Sequence, residues 1–190
     1  MDKNADWFIA VVTPNTEKSC QKKLQLLLAK DTSVQYESYV PIQQELHEWP
    51  STGKRVWVDR VLCPCYLFIR CSDTVRYRIA CQAKFILHFL MDRARITASG
   101  RNDFARIPHT QMLDFKRLVG DAETPVTIDP TLLHAGSKVR VKTGRFAGME
   151  AILDRDPDGS PQIALRLNFL GYAKMALPLE LLEMVEAKRV

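Results

Sequence analysis

From residue 137 the chain reads SKVRVKTG, and this stretch constrains the fold most tightly. Val139 and Val141 fall on one side, and Lys138, Arg140 and Lys142 on the other. That is the period-2 pattern of a strand with one buried face. "MEAILDR", "PQIALRL" and "KMALPLE" follow as short apolar runs, separated by Gly, Asp and Pro turns. Four or five such strands within about 50 residues predict a small barrel, which closes its own edges at that size. Gly144 permits the turn between strands. Gly148 permits a positive φ or a close approach before the chain re-enters the sheet.

The first 119 residues are patterned differently. "DWFIAVVT" reads as a buried strand. Thr13 caps and Pro14 opens a helix, whose Cys20, Leu24, Leu27 and Leu28 face inward. "SVQYESYVP" is the next strand. "QELHEWP" and "RVWVDRV" are the arms of a hairpin around Ser51-Thr52-Gly53-Lys54, basic at its tip. "CYLFIRC" has the pattern of a central strand. Ser72-Asp73 caps a helix through about Cys81, "KFILHFLM" is a further strand, and Pro108 opens a helix with Met112, Phe115 and Val119 inward. That order predicts an α+β fold, an antiparallel sheet with helices packed on it. Residues 120–133, "GDAETPVTIDPTLL", mix Gly, two prolines and acidic residues without a period and read as a linker. Domains are therefore expected at 1–119 and 134–190.

Charge follows the same division. Residues 1–119 hold 18 Lys+Arg and 12 Asp+Glu, net +6; residues 120–190 hold 9 and 10, net −1. The first part is the candidate for contact with a polyanion. No run approaches the roughly 18 apolar residues of a membrane span. The N-terminus, "MDKNADWFIAVVTPN", lacks the basic segment and cleavage site of a secretory signal. Cytoplasmic residence is expected, where disulfides among the five cysteines are disfavoured.

Motifs for chemistry are weak. Ser19-Cys20-Gln21-Lys22, Ser72-Asp73-Thr74 and Lys142-Thr143-Gly144 run in the order of serine β-lactamases. Each is uninformative alone, the chain is short for that fold, and Lys142 lies beyond the linker. Cys63-Pro64-Cys65 is spaced more tightly than the C-x₂₋₄-C pair of structural zinc. Cys71 lies about 20 Å further along the strand at ~3.3 Å per residue. His47, His88, His109 and His134 are scattered, and no P-loop, G-x-G-x-x-G or H-E-x-x-H occurs. No catalysis, metal or cofactor is expected.

"VRVKTGRFAGMEAIL" resembles the KOW motif, and segment 134–185, ending "NFLGYAKMALPLELLE", looks like a KOW domain. Such domains are five-stranded SH3-like barrels that bind RNA or proteins. "WFIAVVTPNTEK", "YVPIQ", the basic hairpin and "LCPCYLFIR" stand in the order of the N-terminal (NGN) domain of NusG-family transcription elongation factors. The resemblance thus covers nearly the whole chain. "YLFIR" and the polar loops look closest to the RfaH and UpxY paralogues. UpxY-like proteins are antiterminators of surface (capsular) polysaccharide operons.

The resemblance implies a monomeric factor that binds RNA polymerase and promotes processive elongation. Its N-terminal domain would grip the clamp helices of the largest subunit and bridge to the opposite one. The family motif Leu-Phe-Pro-Gly-Tyr, or Leu-Phe-Pro-Asn-Tyr, stands here as Leu62-Cys63-Pro64-Cys65-Tyr66. Clamp contacts are implied at Val11, Leu62, Cys63, Tyr66 and Phe68. Cys63 in place of Phe removes about 100 Å² of apolar contact, worth a couple of kcal/mol at roughly 25 cal/mol/Å². Arg76, Tyr77 and Arg78 match the segment that touches the second subunit, and basic residues of this domain could meet the non-template DNA strand. Thr13 and Pro14 stand where RfaH-like proteins carry basic residues. Phe169, Leu170 and Tyr172 match the KOW loop that binds termination factor Rho or a small-subunit ribosomal protein. The alternative reading is a KOW-containing RNA- or ribosome-binding module.

Overall fold

The computed structural model of the chain describes residues 5–29, 31, 34–51, 53–130 and 137–185. Thr52 of the first hairpin turn, and residues 131–136 with His134 and the expected domain boundary, lie outside the described residues. In chain order the elements are β1 (Asp6–Val12), α1 (Glu17–Leu28), β2 (Tyr36–Tyr39), β3 (Ile42–Glu48), β4 (Arg55–Val61), β5 (Tyr66–Cys71), α2 (Asp73–Gln82), β6 (Ile86–Phe89), β7 (Met91–Ile96), β8 (Asn102–Phe104), β9 (Arg106–Ile107) and α3 (His109–Asp121). They continue with β10 (Thr127–Asp129), β11 (Lys138–Val141), β12 (Glu150–Arg155), β13 (Pro161–Leu167), β14 (Gly171–Ala176) and β15 (Leu182–Met184). The fold is mixed α and β with antiparallel sheets, as the pattern of elements predicts. Two units separate: Met1–Val40 with Cys63–His109, and Pro41–Leu62 with Thr110–Val190.

In the first unit the apolar run of β1 makes it a central strand. Trp7, Phe8, Ile9, Ala10 and Val12 are all buried, and the strand is paired on both sides. The sheet order is β2-β5-β1-β6, with β9 also pairing with β1. Residues paired across an antiparallel ladder share a face. Ile9, Phe68 and Tyr39 therefore lie on one face, with Val11, Tyr66 and His88 beside them. Phe8 and Ile69 lie on the opposite face. The guanidinium of Arg76, on α2, covers the Phe8 and Phe89 rings there, each 5.6 Å away. α1 lies against β5 and buries Cys20, Leu24 and Leu28.

Three local expectations need correction. α1 begins at Glu17 rather than at Pro14, because Asn15 takes a left-handed φ of 63° and breaks the backbone before Thr16. Leu27 is exposed, one position off the buried stripe. "MDRARITASGRNDF" contains a hairpin, β7–β8, where no strand was expected beyond Met91. Ser72 does cap α2, its hydroxyl accepting from Val75 N–H at 3.4 Å.

The second unit holds a six-stranded antiparallel sheet ordered β10-β14-β13-β12-β11-β15. The alternation of "KVRV" is realised in β11, with Val139 and Val141 buried between exposed Lys138 and Arg140. Part of the expected linker is the strand β10. Val126 is fully buried beside it, and Asp129 pairs with Lys174 of β14 at 2.7 Å. The β3–β4 hairpin joins this unit through Gln43. Its side chain donates to Thr124 C=O at 3.1 Å and accepts from Val126 N–H at 2.8 Å. α3 is tied to two loops of the sheet. Gln111 donates to Asn168 Oδ1 at 3.3 Å and accepts from Asn168 N–H at 3.1 Å, and Arg117 donates to Ala147 C=O at 3.3 Å.

Candidate partner-binding surfaces

The Cys63-Pro64-Cys65 segment is a turn rather than a strand: Tyr66 N–H donates to Cys63 C=O at 3.3 Å. Cys65 sits at φ 68°, a left-handed conformation that side chains other than Gly, Asn and Asp resist. The implied family motif carries Gly or Asn at this position, and the backbone accounts for that choice. A buried carboxylate holds the turn. Glu17, 2% exposed, accepts from Cys65 N–H at 2.7 Å and from Asn15 N–H at 3.2 Å through the same Oε1. Cys65 C=O in turn accepts from Val12 N–H at 2.9 Å, which fixes the turn to β1. Nothing in the sequence marked Glu17. The one signal available was an acid in the first turn of a helix, which ordinarily reads as a dipole partner.

Among the implied clamp residues of the first unit, Val11 and Tyr66 are cross-strand partners and half-buried. Cys63 and Phe68 are enclosed, at 3% and 0% exposure. Phe68 packs beside Tyr39 with ring centroids 6.4 Å apart. Burial pushes the Cys63 thiol up to about 12 and raises the Tyr39 hydroxyl, so both stay protonated at neutral pH. In this arrangement Val11 and Tyr66 supply the accessible part of the face. His88, paired with Val11, and the bulge residue Leu87 extend it with exposed side chains. In the second unit Leu62 is buried, its N–H donating to Pro41 C=O at 2.9 Å.

The second implied group divides. Arg76 is buried at 6% exposure, paired with Asp73 at 2.9 Å and stacked 3.5 Å from the centroid of Phe104. It anchors α2 on the sheet and offers no surface to a partner. Tyr77 is exposed, and Arg78 pairs with Asp31 at 2.6 Å while remaining 43% exposed. Among the described residues no cluster of His, Cys, Asp or Glu could hold a metal. No helix among them is long and apolar enough to cross a membrane.

In the second unit the three implied loop residues separate as well. Phe169 is exposed at φ 70°, in the three-residue connection between β13 and β14. Leu170 and Tyr172 are buried, with Tyr172 paired to Asp129 of β10. A bulky ring at a left-handed position is strained, and such outliers cluster at binding sites. The Gln111–Asn168 pair holds the connection from one side.

Residues 5–131 match the family model described as transcription termination factor nusG. A structure of domain interaction in Thermotoga maritima NusG is 15% identical, covers 96% of this chain and 98% of its own, and superposes with a TM-score of 0.52. Two conformations of the MjSpt4:Spt5 complex give 12% and 14% identity. They cover 94% and 97% of this chain and 97% and 99% of theirs, and both TM-scores of 0.29 are too low to speak for a common arrangement. No curated protein matches. The family model spans about two thirds of the chain, and the fold is shared with the Thermotoga protein. The chain belongs to the NusG family.

Proposed function

We propose that this NusG-family chain is an RNA polymerase-binding elongation and antitermination factor of the RfaH/UpxY type, monomeric and cytoplasmic, acting without catalysis. The observation that carries the reading is the β1–β5 face. There Val11 and Tyr66 stand half-open beside a turn held by Glu17 and Val12. An amphipathic ring such as Tyr66 suits an interface that must be wet in one state and dry in another. This face receives the clamp helices. Tyr77 and Arg78, the open members of their group, turn to the second subunit or the non-template strand. The sheet β10–β15 corresponds to the KOW domain, with Phe169 as its partner contact for Rho or a ribosomal protein. A surface-polysaccharide operon is the expected target.

The test is a pull-down with RNA polymerase, paired with in vitro elongation across a terminator. Expected are retention of the parent protein and read-through, and loss of both in Tyr66→Asp. Absence of association at low salt, together with tight binding to free RNA, would replace this reading with that of an RNA- or ribosome-binding module.

A further inference from the structure

The charge of the chain is concentrated more narrowly than the two-part division suggests. Residues 63–109 hold eight Lys+Arg and three Asp, net +5, which equals the charge of the whole protein. Residues 1–62 and residues 110–190 are each neutral. Several of the eight are engaged within the fold. Arg76 is buried, Arg78 pairs with Asp31, and Arg106 pairs with Asp6 and Asp103. Three of the others, Arg93, Arg95 and Arg101, stand exposed on one element, the β7–β8 hairpin. Only a 3.7 Å contact with Asp103 holds Arg95. The neighbouring Asp92 is occupied locally, its Oδ1 accepting from Ala94 N–H at 2.9 Å.

The backbone presents these cations on a firm support. The β7–β8 ladder shifts register between Asp92 and Ile96, a bulge that turns the Arg93–Arg95 stretch out of regular pairing. The tip is closed by Thr97, whose N–H and hydroxyl both donate to Arg101 C=O, at 2.7 and 2.8 Å. Gly100, at φ 74°, completes the turn. Ile96 stands 68% exposed at this tip, an aliphatic side chain among arginines.

We infer that the β7–β8 hairpin binds duplex DNA, with Arg93, Arg95 and Arg101 on backbone phosphates and Ile96 directed into a groove. A two-stranded ribbon fits a DNA groove, and an aliphatic tip flanked by arginines suits insertion at a base step. Single-stranded nucleic acid is less suited. It needs aromatic platforms, and the hairpin's one ring, Phe104, is covered by Arg76. This site lies on a different element from the proposed polymerase face and stands independently of it.

The test uses the full chain and a fluorescein-labelled duplex of about 20 base pairs, with anisotropy read between about 50 and 200 mM salt. Arg93→Gln/Arg95→Gln/Arg101→Gln is compared with Lys22→Gln/Lys23→Gln/Lys142→Gln, which removes the same charge from exposed sites elsewhere. Three lost phosphate contacts lower the slope of log K against log salt by about 2.7 in the arginine variant, at roughly 0.9 per phosphate, and leave it unchanged in the lysine variant. Ile96→Ser weakens binding several-fold at constant slope. Matching circular dichroism spectra exclude unfolding, and retention of the arginine variant by RNA polymerase separates this site from the polymerase face. The inference is overturned by an equal loss in both triple variants or by none in the arginine variant. It is equally overturned if the parent ignores duplex at about 50 mM salt or prefers the single strand of the same length.

Discussion

Replacing Glu17 tests whether one buried carboxylate organises the turn at the proposed polymerase face. Its Oε1 accepts from Cys65 N–H at 2.7 Å and from Asn15 N–H at 3.2 Å, and both donors belong to residues with left-handed backbones. At Cys65 that conformation costs about 1–2 kcal/mol, and at Asn15, a side chain that tolerates it, less. A hydrogen bond to a charged group returns about 1.5–3 kcal/mol. Glu17→Ala strands both donors and leaves the strain at Cys65 without compensation. Allowing for non-additivity and entry of water, about 3 kcal/mol of stability should be lost. Glu17→Gln keeps an oxygen of the same reach without the charge and should cost about half that. Urea unfolding measures the total. Thiol modification locates it, because Cys63 is buried and its thiol is pushed up to about 12, leaving it unreactive at pH 8 in the parent. In Glu17→Ala, Cys63 should label at least tenfold faster under native conditions, while buried Cys71 on β5 stays protected. Unchanged Cys63 labelling, with stability within about 0.5 kcal/mol of the parent, would refute the reasoning. Cys63 and Cys71 accelerating together would place the effect in the whole unit rather than in the turn.

Other perturbations read different parts of the molecule. Cys65→Gly removes the left-handed penalty at φ 68° and should raise stability by about 1 kcal/mol in urea unfolding. Asp154 meets Lys174 at 2.8 Å; burial raises its pKa, but hydrogen bonds from Lys174, Arg155 N–H and Gln162 and the Lys174 charge outweigh it and hold the carboxyl below its usual 3.8. A depressed carboxylate stabilises fully above its unfolded pKa and loses that contribution as pH falls through the folded value. Asp154→Asn should therefore cost about 1–2 kcal/mol at pH 7 and flatten the acid limb of a stability profile below about pH 4. Gly171→Ala places a Cβ on the Asp129 carbonyl at a φ of 97° and should lower Tm by several degrees.

Legibility in the sequence followed the range of the interactions. The β1 run and the β11 alternation are local patterns, and both appear as strands at the expected residues. The Cys65 conformation was encoded in what the motif carries elsewhere, once the reason for a Gly or Asn there is asked. Glu17 was illegible because its partner lies 48 residues away and acids are rarely buried. Arg76 misled for the same reason. A helix charge ordinarily faces solvent, but here Phe8, Phe89 and Phe104, distant in sequence, assemble a cage around it. The β7–β8 hairpin was missed because "DRARITASGRND" has too few apolar residues to show a period. β10 was hidden by the flanking Pro125 and Pro130 and by Asp129, whose ion pair to Lys174 only the assembled sheet reveals.

That last strand has a practical consequence. A fragment cut at residue 134, where the alternating pattern suggests that a domain begins, would discard β10 and uncover the N–H and C=O groups along one side of β14. Unpaired strand borders invite association with other chains. Such a fragment should self-associate in proportion to its concentration, whereas one begun before Val126 keeps β14 covered by the short strand β10.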